Sequence, residues 1–162
     1  IGELEALIDA SLTLARLDMG ALQADRLMRQ FEINTVGPSL LLRHFSALLV
    51  KGPAVYGKLS ARVGSISDNQ KGGWYGYRAA KAALNMVLQT AAIELQRRQP
   101  GWRIVALQPG TVRSRLSDPF SSGVPQLLEP DESVQGMLAA LRALPAVSGA
   151  QFIDYRGQSI GW

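Results

Sequence analysis

The chain has 162 residues, 47% of them apolar and 19% charged, which is the balance of a globular domain and excludes disordered and fibrous classes. A net charge of +4 raises the question of nucleic acid, but the basic residues are scattered, with only Arg97/Arg98 and Arg113/Arg115 close together, so neither nucleic acid nor a membrane surface is the expected partner. The absence of cysteine excludes disulfides and thiolate metal sites and fits a cytoplasmic setting, and no apolar run approaches a membrane span.

In chain order, Ile1 to Glu5 lacks the basic and apolar regions of a secretion signal, and with no initiator methionine the expected start lies upstream. The first twenty residues are weakly patterned and read as a short helix and a loop. A long helical pattern follows, with Leu22, Leu27, Phe31, Leu41, Phe45 and Leu48 as its apolar stripe and Gly37-Pro38 interrupting it. Ala54 to Leu59 reads as a strand and Ser65 to Gly73 as a loop. From Tyr75 to Arg98, apolar residues recur every three or four positions through Ala80, Leu84, Leu88 and Leu95, and Pro100-Gly101 stops the helix. Arg103 to Leu107 reads as a strand ending at Pro109-Gly110. A polar segment leads to a helix with Val134, Met137, Leu138 and Leu141 on one face, and Gln151 to Tyr155 forms a last strand. The alternation predicts one α/β domain over residues 1–162, a parallel sheet of three strands covered by helices.

Tyr77 and Lys81 lie four apart and so share a helix face. A nearby ammonium favours phenolate and draws a tyrosine down from its ordinary value of about 10 toward the range useful for proton transfer. Upstream, Pro38 lacks an N–H, so a continuous helix would leave the carbonyl of Asn34 without its usual donor.

The run from Gly73 through Tyr77 and Lys81 to Met86 resembles the active-site helix of the short-chain dehydrogenases/reductases, within the branch of the C-factor and sniffer-type carbonyl reductases. Phe31 to Pro38 resembles the family's asparagine-bearing helix, and Pro109 to Ser114 resembles its loop beside the nicotinamide. The resemblance implies a partial Rossmann-like, doubly wound parallel sheet. It implies an NAD(P)(H)-dependent oxidoreductase that interconverts a small carbonyl and alcohol. In that role Tyr77 would exchange the proton, Lys81 would lower its pKa and bind the nicotinamide ribose, and the Asn34 carbonyl would hold a water of the proton relay. Pro109, Gly110, Thr111, Val112 and Ser114 would border the nicotinamide. A homodimer or tetramer through the long helices is also implied, and a truncated, non-catalytic scaffold that dimerises in this way is the alternative reading.

Two departures stand out. The family's S-S-x-x-G appears as Ser60-Ala61-Arg62-Val63-Gly64, with Ala61 at the catalytic serine position. Ser60 is the first replacement candidate and Ser65 the second, and the absence of any functional serine is the third possibility. No glycine-rich G-x-x-x-G-x-G turn is present, so the N-terminal βαβ units that bind the cofactor's phosphates are expected to be missing and the chain to begin after the fourth strand. His44, the only histidine, reads as a surface or partly buried residue. Trp74 is a possible pocket wall because of its closeness to Tyr77.

Overall fold

A computed structural model describes residues 6–9, 19, 22–114, 117 and 126–162. Among the described residues, four parallel strands lie in sequence order: β1 (Ala6–Asp9), β2 (Ala54–Leu59), β3 (Trp102–Gln108) and β4 (Gln151–Asp154). Register is continuous across the sheet, with Ala6 opposite Val55, Ala54 opposite Trp102 and Val105 opposite Gln151. Three strands match the sequence reading closely. β1 is a correction, because residues 6–9 form a strand parallel to β2 where a short helix was expected. A run this short, Ala6-Leu7-Ile8-Asp9, has no usable period of its own, and pairing with β2 decides its conformation.

The helices are α1 (Ala24–Phe31), α2 (Gly37–Phe45), α3 (Tyr75–Gln96) and α4 (Pro130–Ala143). Alternation along the central strands sends Ala54, Tyr56, Ile104 and Ala106 into one core, where Leu84, Leu88 and Ala92 of α3 and Leu42 of α2 cover them. Val55, Val105, Leu107 and Ile153 face the other way, onto Met137 and Leu141 of α4. Burial on both faces explains why β2 and β3 read as nearly continuous apolar runs. α4 starts with Pro130 at its first turn, where a missing N–H costs nothing, and Asp131 and Glu132 there complement the helix dipole. Val134, expected on its apolar face, is exposed.

Between α1 and α2 the chain runs without a break through a π-helical turn, Glu32–Val36. The Gly37 N–H bonds back to the Glu32 carbonyl, five residues earlier, just ahead of Pro38. The wider turn accommodates the proline and shifts the helical phase. The expected apolar stripe is therefore corrected: Leu41 and Phe45 are exposed, while Asn34, Thr35, Pro38 and Leu42 are buried; Leu22, which lies ahead of α1, is exposed as well.

Candidate active site

Parallel pairing places the carboxyl ends of all four strands on one rim, the usual location of ligand sites in open α/β sheets. α3 begins beside this rim. Its second turn reaches the end of β2, where Lys81 Nζ donates to the Leu59 carbonyl at 3.0 Å. Ser60 and Gln108 continue the rim, the Ser60 N–H donating to Leu107 O at 2.8 Å and the Arg62 N–H to Gln108 Oε1 at 3.2 Å.

Tyr77, Lys81 and Asn85 form an i, i+4, i+8 row along α3, and all three are buried. The Lys81 ammonium lies 5.7 Å from the centre of the Tyr77 ring, within cation–π range. Only 7% of the Tyr77 surface is exposed, and burial pushes its phenol up to about 12. The direction opposes the sequence argument. Desolvation penalises the phenolate. Burial therefore favours the protonated phenol.

The π turn is tied directly to this row. Thr35 Oγ1 donates to the Ala80 carbonyl at 2.8 Å, and Asn34 Nδ2 donates to Gln30 Oε1 at 3.0 Å inside the protein. Gly76 permits the approach of α1, since a Cβ there would lie 3.0 Å from Leu27 Cδ2 and 3.3 Å from Gln30 Cγ. Gly64 is the tighter contact, where a Cβ would come within 2.8 Å of Lys81 Cβ and 2.9 Å of the Lys81 carbonyl carbon. Asn34, Tyr77 and Lys81 thus belong to one packed unit.

Ser60 keeps the alternation of β2 and points toward α3, where its hydroxyl donates to Asn85 Oδ1 at 2.6 Å. Ala61 is extended (φ −159°, ψ 147°), so no bulge redirects the serine. Ser65 is buried as well, its Oγ accepting the Asp68 N–H at 3.1 Å and lying 3.3 Å from Ser67 Oγ. Both candidate serines therefore make structural hydrogen bonds at this rim.

The loop after β3 leaves the same rim. The Pro109 carbonyl accepts the Ser133 hydroxyl at 2.6 Å, and Gly110 has φ +81° with Leu128 and Tyr155 packed against it. Thr111 O accepts the Leu128 N–H at 2.9 Å, and Val112 bridges to Leu128. Ser114 is exposed, and its N–H donates to Ser117 Oγ at 3.0 Å. His44 is exposed on the last turn of α2, away from this rim. Arg115 lies outside the described residues. Among the described residues no cluster of metal-ligating side chains occurs, and no helix is long and apolar enough to cross a membrane.

Sequence reasoning missed Gln30, Thr35, Arg78 and Asn85, which brace the candidate residues rather than carry a recognisable motif. It also missed Lys58, fully buried between Tyr56 and Ser60 and paired in register with Asp9. For Asn85 a signal was available, since it extends the Tyr77–Lys81 row by one turn.

No protein-family model matches the sequence. The chain is 33% identical over 145 residues to 1-hydroxy-2-glutathionyl-2-methyl-3-butene dehydrogenase of a Rhodococcus species, covering 90% of this chain and 62% of that protein. It is 35% identical over 138 residues to C-signal of Myxococcus xanthus, covering 83% of this chain and 77% of that protein. Among solved structures, it superposes with a TM-score of 0.82 on a short-chain dehydrogenase/reductase from Burkholderia multivorans with bound NADP. Identity there is 27%, over 99% of this chain and 68% of that one. The chain thus spans somewhat under two thirds of the dehydrogenase's length. With the Tyr-x-x-x-Lys row set against the carboxyl rim of a doubly wound parallel sheet, these likenesses place the chain in the short-chain dehydrogenase/reductase family.

Proposed function

We propose that the chain carries the proton-transfer end of an NAD(P)(H)-dependent oxidoreductase that interconverts a small carbonyl compound and its alcohol. The observation that carries this reading is the Tyr77–Lys81 pair, packed against the Asn34 turn at the carboxyl rim. The dehydrogenase and the NADP-bound structure among the likenesses favour a nicotinamide cofactor. The residues present fit the nicotinamide end of such a molecule: Lys81 of α3, whose ammonium reaches the end of β2, and a glycine-containing loop, Pro109 to Ser114, on the adjacent strand end.

In this reading the neutral Tyr77 hydroxyl donates a proton to the oxygen of a bound carbonyl and takes it back in the reverse direction. Lys81 has three N–H donors and gives one to Leu59 O, so its ammonium is fixed where it offsets charge developing on the tyrosine oxygen. The Asn34 backbone, in its widened turn, supplies a carbonyl for a relay water, and Thr35 holds that turn against Ala80. Pro109, Gly110, Thr111, Val112 and Ser114 border the nicotinamide, which when bound supplies or accepts the hydride. Ser60 is the first candidate to orient the substrate oxygen, which would require exchanging its bond to Asn85. The exposed Val36, Leu40, Met86 and Ile93 on the long helices support a homodimer as the working form.

The test is consumption of NADPH or NADH with a panel of small aldehydes and ketones. Substrate-dependent loss of reduced-nicotinamide absorbance supports the reading. Neither cofactor binding nor turnover at millimolar cofactor would refute it for this chain and favour the scaffold.

A further inference from the structure

Gly72, Gly73 and Trp74 are three consecutive residues with left-handed backbone, at φ +59°, +66° and +50°. Glycine accepts this conformation freely, but for an L residue with a side chain it costs about 1–2 kcal/mol. Trp74 is the only described non-glycine residue with positive φ, and it sits at the N-cap of α3 without a capping side chain. Such a conformation persists only where its surroundings over-determine it. Arg78 binds this turn directly. Its Nε donates to the Gly73 carbonyl at 3.0 Å and to Gly72 O at 3.3 Å, and its Nη2 donates to Gly72 O at 3.2 Å. Its Nη1 donates to Val63 O at 3.2 Å, and the guanidinium carbon lies 5.9 Å from the centre of the Trp74 ring.

One planar group therefore gathers both ends of the 63–74 loop, which carries Ser65 and Ser67, onto the turn of α3 that presents Tyr77. Lysine has no equivalent fork. We propose that Arg78 is a positioning residue for Tyr77: it clamps the carbonyls of Val63, Gly72 and Gly73 and the Trp74 ring against the first turn of α3, which carries the buried tyrosine, and fixes the serine loop beside that turn. Its functional meaning rests on Tyr77 being the acid/base group, but the clamp itself is measurable without turnover.

The experiment compares Arg78→Lys and Arg78→Met with the unsubstituted chain. Tyr77 ionisation is read by ultraviolet difference titration against Tyr77→Phe, and trypsin cleavage is followed after the exposed Lys71. In both variants the Tyr77 midpoint should fall by about one unit toward the ordinary tyrosine value. Cleavage at Lys71 should rise about tenfold as the loop opens locally. A folded Arg78→Met chain with unchanged Tyr77 titration and unchanged cleavage overturns the proposal, and so does an Arg78→Lys chain that retains both properties. Should Arg78→Met not fold, Arg78→Lys decides alone. Should neither fold, solvent exchange of the Arg78 Nε–H in the unsubstituted chain decides: protection supports the clamp, and exchange as fast as a free guanidinium refutes it. Failure of the oxidoreductase reading would instead appear as absent turnover with the clamp intact.

Discussion

The Thr35 hydroxyl donates a 2.8 Å hydrogen bond to the Ala80 carbonyl, joining the π turn that holds Asn34 to the helical turn between Tyr77 and Lys81. This bond is buried and links the two elements directly. Replacing Thr35 with valine keeps the shape and removes the donor. The expected loss is about 1 kcal/mol, seen as a lower urea midpoint with an unchanged slope. A midpoint equal to that of the unsubstituted chain would mean the bond does not hold the two helices together.

Gly64 is a steric prediction. The Cβ of alanine would lie 2.8 Å from Lys81 Cβ and 2.9 Å from its carbonyl carbon, so the loop or α3 must move. Gly64→Ala should cost roughly 1–3 kcal/mol in chemical unfolding. The substitution is informative because it acts at the base of the lysine side chain. An alanine variant as stable as the parent would show that the loop and α3 are less closely fitted than described.

Ser60 and Asn85 separate structural from catalytic duty. Ser60→Ala removes a 2.6 Å buried bond and leaves the amide of Asn85 without it, at an expected cost of about 1–2 kcal/mol. If Ser60 also orients the substrate oxygen, turnover falls by ~10²-fold beyond the stability effect. A stability loss with unchanged turnover would remove Ser60 from the chemistry and leave Ser65 as the next residue to replace.

The tyrosine gives a pH prediction with a definite sign. Tyr77 titrates at about 12 when folded and near 10 when unfolded, so between these values the folded chain holds more protons than the unfolded one. Its contribution to stability is fully present below the unfolded value and is lost as pH rises through the folded one. Urea unfolding across this window should show a steeper decline for the parent than for Tyr77→Phe. Identical slopes would contradict the burial of the phenol.

Much of the sheet was legible because β2, β3 and β4 combine apolar content with clear flanking turns. β1 was not, since four residues carry no period and depend on β2 for their shape. The helix carrying Asn34 was legible in extent but not in facing. Pro38 signalled a disturbed hydrogen bond without revealing that a π turn would rotate Leu41 and Phe45 outward. Within the site, the Tyr77–Lys81 spacing was readable because helical geometry fixes it. The raised tyrosine pKa was not, because burial is a tertiary fact. Arg78 escaped notice for the same reason, since its partners are backbone carbonyls that leave no trace in sequence.

The most direct test of the central claim is the rate of NADPH-dependent carbonyl reduction by Tyr77→Phe beside the unsubstituted protein, with cofactor binding measured on both. Removing the proton donor should lower the rate by about 10²–10⁴-fold while cofactor affinity stays nearly constant. A Tyr77→Phe rate within a factor of about three of the parent would contradict the assignment of Tyr77 as the acid/base group.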